Sequence, residues 1–323
     1  MLAIQAVRTG GPEVLEAVDL PVPTPGPGKI LIRQEAIGLN FIDTYHRTGL
    51  YPMKMPAVLG LEGAGVVEAV GEGVTRFVVG DRAAFGNGPL GAYAEFHAVP
   101  ATRAVKIPIG VSSRDAAAAM LKGMTAEFLL RRCYVVKKDD AVLIHAAAGG
   151  VGTILTQWAK ALGAQVIATV GSPDKAEMAR LSGADEVILY RDEDVAARVK
   201  AITSGAGVRV AYDGVGAATL EASLNSLGRR GLLVSYGNAS GPAPAVEPLR
   251  LSRGGSLFMT RPTLFDYVIT TEELDESASA LFEVIGSGAV KIGIGQTFPL
   301  SHARQAHEAL EGRETTGSTL LLP

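Results

Sequence analysis

A glycine-rich segment at residues 145–152, HAAAGGVG, has the spacing of a dinucleotide-binding loop. It follows the apolar run AVLI, precedes an amphipathic stretch, and forms an Ala-x-Gly-x-x-Gly pattern. Small residues let a pyrophosphate approach the backbone N–H groups at a helix start, where the helix dipole also attracts an anion. An incidental glycine-rich turn would match the spacing, but not the strand before it and the helix after it. We therefore predict dinucleotide contacts at Ala147, Gly149, Gly150, Val151 and Gly152.

The residues after the second predicted strand bear on the choice of cofactor. NAD-binding sites usually carry an acidic residue here, about 20 residues after the loop, that binds the ribose hydroxyls. In this chain Gly171 takes that place, followed by Ser172 and Lys175. No carboxylate then repels a 2′-phosphate, and two side chains can donate to it, so the pattern favours NADPH over NADH. Ser172 is also a suitable helix N-cap, a compatible role, and Lys175 could instead be a solvated surface residue.

Strand-like and helix-like segments alternate after about residue 140. Helix-like segments separate the first five of six apolar runs, whereas the last link, residues 238–255, is Pro-rich and irregular. Strands joined by helices of this size form a parallel sheet with its ligand crevice at the carboxyl ends of the strands. The first third of the chain instead shows strands and turns, with little helix before residue 112. The six runs predict a six-stranded Rossmann sheet: AVLIHA, QVIATV, EVILY, VRVAYD, GLLVSYG and SLFMTR.

Bulk composition narrows the class of protein. A chain of 323 residues is expected to form two domains, and 47% hydrophobic with 20% charged residues is typical of a folded globule. The single cysteine, Cys133, excludes an intramolecular disulfide and any site built from two thiolates. A formal charge of −3 gives no general attraction to nucleic acid. The start of the chain lacks the pattern of a signal peptide, so a cytoplasmic location is expected.

Several strings together identify a resemblance that runs over essentially the whole chain. They are GGPEVL near the start, GLNFIDTYHRTGLYP at 38–52, KGMTAEFLL at 122–130, the 145–152 loop, YGNASG at 236–241 and FMTRP at 258–262. The chain resembles the quinone oxidoreductases of the medium-chain dehydrogenase/reductase superfamily, the group that includes zeta-crystallin. The string at 38–52 is the most specific of these, because the nucleotide loop alone would not separate this branch from its relatives.

The resemblance implies an α/β protein with a discontinuous outer domain. Residues 123–263 should form the NADPH-binding Rossmann domain. Residues 1–122 and 264–323 should form a GroES-like catalytic domain, whose first part is a partly open, mainly antiparallel β barrel. In this family the sixth Rossmann strand lies at the edge of the sheet and pairs across a two-fold axis, which implies a homodimer through residues 256–261.

The zinc sites of related alcohol dehydrogenases cannot be built from this chain. By resemblance, Asn40 stands at the first zinc cysteine, and the Gly-His-Glu string reads Gly60-Leu61-Glu62. The five histidines are dispersed, and none is assigned a catalytic role. His145, inside a predicted buried strand, is interpreted as structural. We therefore predict a metal-independent enzyme.

The resemblance also implies a set of site residues around the nicotinamide, in a cleft between the domains. Tyr45 and Asn40 could donate to the oxygen of the acceptor, and Arg261 could stabilise developing negative charge. For Tyr51, packing and function are equally open, and Phe128 could lie near the cofactor or in the core. The acceptor residues are predicted to be Asn40, Tyr45, Tyr51 and Arg261. Further cofactor contacts are predicted at Thr125, Tyr190, Tyr236, Gly237, Asn238 and Phe258.

These features predict an NADPH-dependent, zinc-independent quinone reductase. Reduction of an activated C=C bond in an enone or alkenal fits the same fold and cofactor, and only the 38–52 string favours the quinone. A zeta-crystallin-like role in RNA binding is the alternative from another class of protein. The acidic net charge and the lack of a basic aromatic platform argue against it as the main role.

Overall fold

The computed structural model describes all 323 residues, which form two compact units. The first comprises Met1–Met124, Tyr267–Gly286 and Ile292–Pro323, and the second Thr125–Asp266 and Ser287–Lys291. The segment Ser287–Lys291 was expected in the outer domain but groups with the second unit. The physical reason is a pair of hydrogen bonds, in which Gln157 Nε2 donates to Lys291 O (3.0 Å) and Lys291 N donates to Gln157 Oε1 (2.8 Å). None of the helices combines the length and the apolar character that a membrane span needs.

Most of the first unit is β structure, and its elements are numbered here in chain order through the whole molecule. Its strands are β1 (Leu2–Ala6), β2 (Leu15–Asp19), β3 (Lys29–Leu39), β4 (Ala57–Val58), β5 (Glu62–Val70), β6 (Arg82–Phe85), β7 (Phe96–Pro100), β8 (Val105–Lys106), β15 (Ile294–Pro299) and β16 (Ser318–Leu322). Its helices are α1 (Phe41–Thr48), α8 (Thr271–Gly286), α9 (Ala303–Glu311) and the larger part of α2 (Ser113–Phe128).

A seven-stranded sheet organises this unit around the long strand β3. The order is β15-β16-β3-β5-β6-β8, with β7 also pairing with β3, and only β15 and β16 run parallel. One edge of β3 pairs with β5, and the other is shared by β7 and β16. Strands β2, β1 and β4, in that order, form a smaller antiparallel sheet. The predicted mainly antiparallel architecture of this unit is therefore confirmed.

The first unit holds a helix that the sequence interpretation did not anticipate. Helix α1 lies inside the 38–52 string, in a region that was expected to contain strands and turns with little helix. Its start is stabilised because Asp43 Oδ2 accepts a hydrogen bond from Asn40 N (2.9 Å), the acidic half of a capping box. It ends at Gly49 in the left-handed conformation (φ 83°). The acidic residue three positions after Asn40 and the glycine at 49 were the signals available in the sequence.

The second unit is a parallel α/β sandwich. Its strands are β9 (Ala141–Ile144), β10 (Gln165–Val170), β11 (Glu186–Leu189), β12 (Val208–Asp213), β13 (Leu227–Ser235) and β14 (Phe258–Thr260). Its helices, besides the end of α2, are α3 (Gly150–Ala161), α4 (Pro173–Leu181), α5 (Val195–Ile202), α6 (Leu220–Ser226) and α7 (Pro248–Arg253). The strand order β11-β10-β9-β12-β13-β14, with every pair parallel, is that of a Rossmann fold.

Two expectations for this unit have different outcomes. The sixth run forms β14 and lies at the edge of the sheet, as predicted. The link before it was expected to be irregular throughout, and this is wrong for residues 248–253, which form α7. Pro248 is tolerated because it occupies the first turn of that helix. The backbone N–H groups of a first turn have no acceptor within the helix, so a residue without an N–H loses no hydrogen bond there.

Candidate active site

The nucleotide loop joins β9 to α3. Gly149 is the N-cap of α3. At Gly149 an added Cβ would meet only the Ala146 carbonyl oxygen within 4 Å, at 3.2 Å, whereas at Gly152 it would lie 2.2 Å from that oxygen. Gly152 is thus required by packing inside the protein, and Gly149 leaves the helix N-terminus approachable. The free N–H groups of a first helical turn suit an anion, so the loop fits the pyrophosphate of a dinucleotide.

Ala146 is a feature of this loop that the sequence interpretation missed. Its φ is 52°, in the left-handed region that disfavours a side chain, and it is exposed. Its carbonyl oxygen accepts a hydrogen bond from Gly149 N (2.9 Å). Alanine gives no local signal for this conformation, because glycine or asparagine is the usual residue there.

The ends of β10 and β11 lie next to each other in the sheet. Gly171 follows β10, and an added Cβ there would lie 2.6 Å from the hydroxyl of Tyr190, which follows β11. The absence of a side chain at Gly171 therefore makes room for Tyr190, in addition to removing a carboxylate. Ser172 is the N-cap of α4, since its Oγ accepts from Lys175 N (3.4 Å). The structural role of Ser172 is thus present, and its phosphate-binding role stays a prediction.

Arg261 and Asn238 meet at the carboxyl ends of β13 and β14. Arg261 Nη1 donates to Ser235 O (2.9 Å). With its amide oriented to satisfy both ends, Asn238 accepts from Arg261 Nη2 (3.1 Å) and donates to Gly237 O (3.1 Å). The predicted Tyr236–Asn238 loop is therefore held by the guanidinium that was predicted to face the acceptor.

Three further residues considered as cofactor contacts, Thr125, Phe128 and Phe258, differ in how far they are buried. Thr125 is buried on α2, and Phe128, one turn later, is completely buried, which supports core packing for the phenylalanine. Phe258 begins the edge strand β14 and is 60% exposed. Phe258 is therefore solvent-exposed on the sheet edge, and its cofactor contact stays a prediction.

Two of the predicted acceptor residues form an aromatic pair in the first unit. Tyr45 lies on α1 and Tyr51 just after it, with ring centroids 5.3 Å apart in an edge-to-face arrangement. Tyr51 N donates to Tyr45 O (3.0 Å), which fixes the turn between them. The short helix and this turn therefore bring two tyrosines, six residues apart, into ring contact, with Tyr45 buried at 8% exposure.

The third predicted acceptor residue, Asn40, belongs to a buried polar network around Glu62. Glu62 Oε2 accepts from Asn40 Nδ2 (2.8 Å) and from Lys122 Nζ (2.7 Å), and its Oε1 accepts from Leu121 N (2.7 Å). Asn40 Nδ2 also donates to Gly38 O (3.3 Å). The amide of Asn40 is thus oriented by protein groups, and donation to an acceptor would require it to exchange one of these bonds. Lys122 belongs to this network although it was not among the predicted site residues.

A second buried series of hydrogen-bonded side chains runs from Arg47 to Asp43. Arg47 Nη1 lies 2.8 Å from His307 Nδ1, and Tyr93 Oη lies 3.0 Å from both His307 Nε2 and Asp43 Oδ2. Because a guanidinium can only donate, His307 Nδ1 accepts, Nε2 carries the proton, and Tyr93 donates to Asp43. Burial raises the pKa of Asp43 to about 7, and burial together with Arg47 lowers the pKa of His307 to about 3.

The low pKa of His307 predicts a specific loss of stability in acid. The unfolded chain takes up a proton on this histidine below about pH 6.5 and the folded chain does not, so stability falls as the pH falls. Between pH 7.5 and pH 5 the wild type should lose about 2 kcal/mol more unfolding free energy than the variant His307→Gln. Urea unfolding at both pH values measures this. His302→Gln is the control, since His302 is exposed, and an equal acid loss in wild type and His307→Gln would contradict the prediction.

The buried His145 has a structural environment in the second unit, as its sequence context suggested. Its Nδ1 lies 2.9 Å from Thr169 Oγ1 and its Nε2 lies 3.0 Å from Ser223 Oγ. Ser223 in turn donates to Asp213 Oδ2 (2.7 Å). The imidazole therefore links β9, β10 and α6.

No group of three or more His, Cys, Asp or Glu side chains in the molecule could hold a metal ion.

A chain that combines a Rossmann sheet and its glycine-bearing helix start with a second unit built on a mainly antiparallel sheet has the organisation of the medium-chain dehydrogenases and reductases. Two family models match the chain: zinc-binding dehydrogenase over residues 150–283 and alcohol dehydrogenase GroES-like domain over residues 26–109. A quinone oxidoreductase of Pseudomonas aeruginosa is 53% identical, and the alignment covers 99% of each chain. The chain belongs to the quinone oxidoreductase branch of the medium-chain dehydrogenase/reductase superfamily.

Solved structures support this assignment to the quinone oxidoreductase branch. The quinone oxidoreductase of Escherichia coli complexed with NADPH has a TM-score of 0.98 and 48% identity, with 100% of both chains covered. The quinone oxidoreductase of Pseudomonas syringae has a TM-score of 0.97 and 52% identity, with 100% of this chain and 99% of that chain covered. A 2-haloacrylate reductase of Burkholderia sp. is 45% identical over 98% of this chain and 97% of its own.

Proposed function

We propose that this protein reduces a quinone to a hydroquinone with NADPH. The observation that carries the proposal is identity of about half of all residues, over the full chain, with proteins named quinone oxidoreductase. When bound, NADPH supplies a hydride, and one proton from solvent or a side chain completes the hydroquinone. The protein's own contribution is to bind and orient the two reactants and to stabilise charge on the acceptor oxygen.

The second unit supplies the groups that would hold the cofactor. The pyrophosphate would bind at the N-terminus of α3, where Gly149 leaves room for it. The 2′-phosphate would bind near Ser172 and Lys175. Gly171 stands there in the place of the acidic residue of NAD-binding sites, so no carboxylate at that position would repel the phosphate. Tyr190 would lie beside the adenosine. Thr125, Phe258 and the Tyr236–Asn238 loop belong to the same proposal as contacts of the cofactor.

The acceptor would be held by a small set of polar side chains. In the first unit these are Tyr45, Tyr51 and Asn40, and the half-buried ring of Tyr51, which contacts Tyr45 edge to face, would pack against a flat quinone. In the second unit Arg261 carries the positive charge that would stabilise a developing oxyanion. Tyr45 and Asn40 would act as neutral hydrogen-bond donors.

The proposed function is tested by stopped-flow oxidation of NADPH against a panel of quinones. We expect rapid oxidation with 1,4-benzoquinone and naphthoquinones, and unchanged rates after exhaustive treatment with a chelator. The motive for the second expectation is the single cysteine together with Asn40 and Leu61 at the zinc-ligand places. A protein that oxidises NADPH with none of the quinones would contradict the proposal. Loss of activity with chelator that zinc restores would contradict metal independence.

A second candidate is reduction of an activated C=C bond. It is favoured by one observation, the 45% identity with a 2-haloacrylate reductase over nearly the whole of both chains. The same stopped-flow experiment with 2-chloroacrylate and simple enones separates the two. Turnover of the acrylate at a rate comparable to the quinone would assign both activities to the chain.

The choice of cofactor gives a prediction for Lys175. If its ammonium contacts the 2′-phosphate, Lys175→Ala should weaken NADPH binding by about 1–2 kcal/mol, roughly five- to thirtyfold in Kd. Binding of NADH, which lacks that phosphate, should be unchanged. Fluorescence titration of both cofactors measures the effect, and Lys160→Ala on the neighbouring helix α3 is the control. Equal affinity of the wild type for NADPH and NADH would contradict the prediction.

The edge strand β14 supports a further part of the proposal, a homodimer. Phe258 is 60% exposed on a strand whose outer edge has no partner within the chain. An apolar, unpaired edge favours pairing with an identical edge. Residues 256–261 would form that interface, and sedimentation equilibrium measures the association.

A further inference from the structure

The loop after β6, residues 86–91, contains a buried carboxamide without a hydrogen-bond partner. Asn87 is 5% exposed, and neither its Nδ2 nor its Oδ1 has a partner within the protein. Another buried carboxamide of this unit is satisfied at one end only, since Gln34 Nε2 donates to both Ala92 O and Ala94 O at 2.6 Å while its Oε1 has no partner. Buried polar groups are almost always hydrogen-bonded, so an amide with neither end satisfied requires an explanation.

The loop is held on both sides of Asn87. On one side, a Cβ added to Gly86 would lie 2.6 Å from Leu121 N, so the backbone packs directly on helix α2. On the other side, His97 Nε2 donates to Pro89 O (3.1 Å). The backbone cannot carry Asn87 into solvent without breaking these contacts, and the unsatisfied amide is therefore a built-in feature of the fold.

The same turn of α2 connects this loop to the proposed acceptor site. Leu121 N, against which Gly86 packs, donates to Glu62 Oε1 (2.7 Å). The other oxygen of Glu62 accepts from Asn40 Nδ2 (2.8 Å). The loop of Asn87 and the amide of Asn40 are thus positioned by one turn of one helix.

We propose that Asn87 is a further binding residue for the quinone, an assignment that rests on the proposed function. A carboxamide offers one donor group and one acceptor group. The carbonyl oxygen of a quinone only accepts, and the hydroxyl of the hydroquinone product also donates. Asn87 can therefore donate from Nδ2 to the quinone and accept at Oδ1 from the hydroquinone, so that the site satisfies both redox states.

The test replaces Asn87 by a side chain of similar size without polar atoms. In Asn87→Leu we expect the KM for 1,4-benzoquinone and the inhibition constant of hydroquinone to rise about tenfold each. The kcat should stay within about twofold, and the Kd of NADPH should be unchanged. Asn87→Ser, which is smaller and polar, provides a second variant. Gln34→Leu is the matched control, because the Nε2 of Gln34 donates only to backbone carbonyls, so this variant should lower the melting temperature without raising the quinone KM.

The outcomes separate this proposal from the proposed function. Wild-type protein that reduces no quinone overturns the function, and the Asn87 assignment with it, before any variant is compared. Quinone turnover by the wild type with an unchanged KM in both Asn87 variants overturns the Asn87 assignment alone. In that case ordered water satisfies the amide, and Asn87→Leu should simply be more stable. A raised Kd for NADPH would also overturn it by assigning Asn87 to the cofactor.

Discussion

Replacing Lys122 by methionine should destabilise the protein by about 3–5 kcal/mol, because the variant leaves a buried carboxylate without its counter-charge. The side chain of Lys122 is 5% exposed and that of Glu62 is 0% exposed, and their charged atoms are 2.7 Å apart. Asn40 and Leu121 would still donate to Glu62, but two neutral donors do not compensate an isolated buried charge. Urea unfolding of the wild type and of Lys122→Met measures the difference.

Two controls show whether the loss comes from the unpaired charge. Adding Glu62→Gln to Lys122→Met removes that charge and should recover part of the lost free energy. Arg304→Met breaks the exposed pair with Glu308 on α9 and should cost less than about 0.5 kcal/mol. A loss below about 1 kcal/mol in Lys122→Met would mean that water reaches Glu62 and that the pair is not desolvated.

Removing the hydroxyl of Tyr45 should lower kcat/KM for a small quinone about ten- to hundredfold. A positioned neutral donor to a developing oxyanion contributes about 1–3 kcal/mol at the transition state. Tyr45→Phe keeps the ring, its edge-to-face contact with Tyr51 and the helix that carries it. The Kd of NADPH and the melting temperature should therefore change little. Steady-state kinetics and a thermal melt of the same preparation measure both.

A structural tyrosine provides the comparison. Tyr212 is completely buried in the second unit, and its hydroxyl donates to Leu129 O (3.2 Å). Tyr212→Phe should lower stability by about 1 kcal/mol and leave quinone turnover unaffected. Normal turnover in Tyr45→Phe and also in Arg261→Ala would show that the acceptor is held by ring stacking and shape alone.

The Rossmann unit could be predicted from the sequence almost completely. Its parallel strands are covered on both faces, so they are short continuous apolar runs, and the helices α3 to α6 follow the first four of them. The strand order then follows from the short right-handed connections available to such units. The short helix α7 escaped prediction because its six residues follow three prolines or glycines within eight positions and give too little periodicity to detect.

The first unit was less accessible, since its strands pair over long distances. Strand β3 pairs with β16, almost 300 residues later, and no local pattern specifies that contact. Helix α1 was overlooked because its eight residues are dominated by the polar and aromatic side chains of the 38–52 string. The resemblance to a family supplied the mainly antiparallel architecture, which residue patterns alone did not.

By itself the sequence determined the dinucleotide loop, the six-stranded parallel sheet and the exclusion of thiolate metal sites, because these depend on local spacing and on the count of one residue type. Only the tertiary structure decided which polar groups are buried together. Glu62 and Lys122 lie 60 residues apart, and the Asp43–Tyr93–His307 chain spans 264 residues, yet each group bonds directly to the next. Only the structure, likewise, showed that the amide of Asn87 is buried without a partner. Burial and hydrogen bonding depend on the packing of distant segments. Together they determine which side chains of the candidate site are charged and how those side chains are oriented.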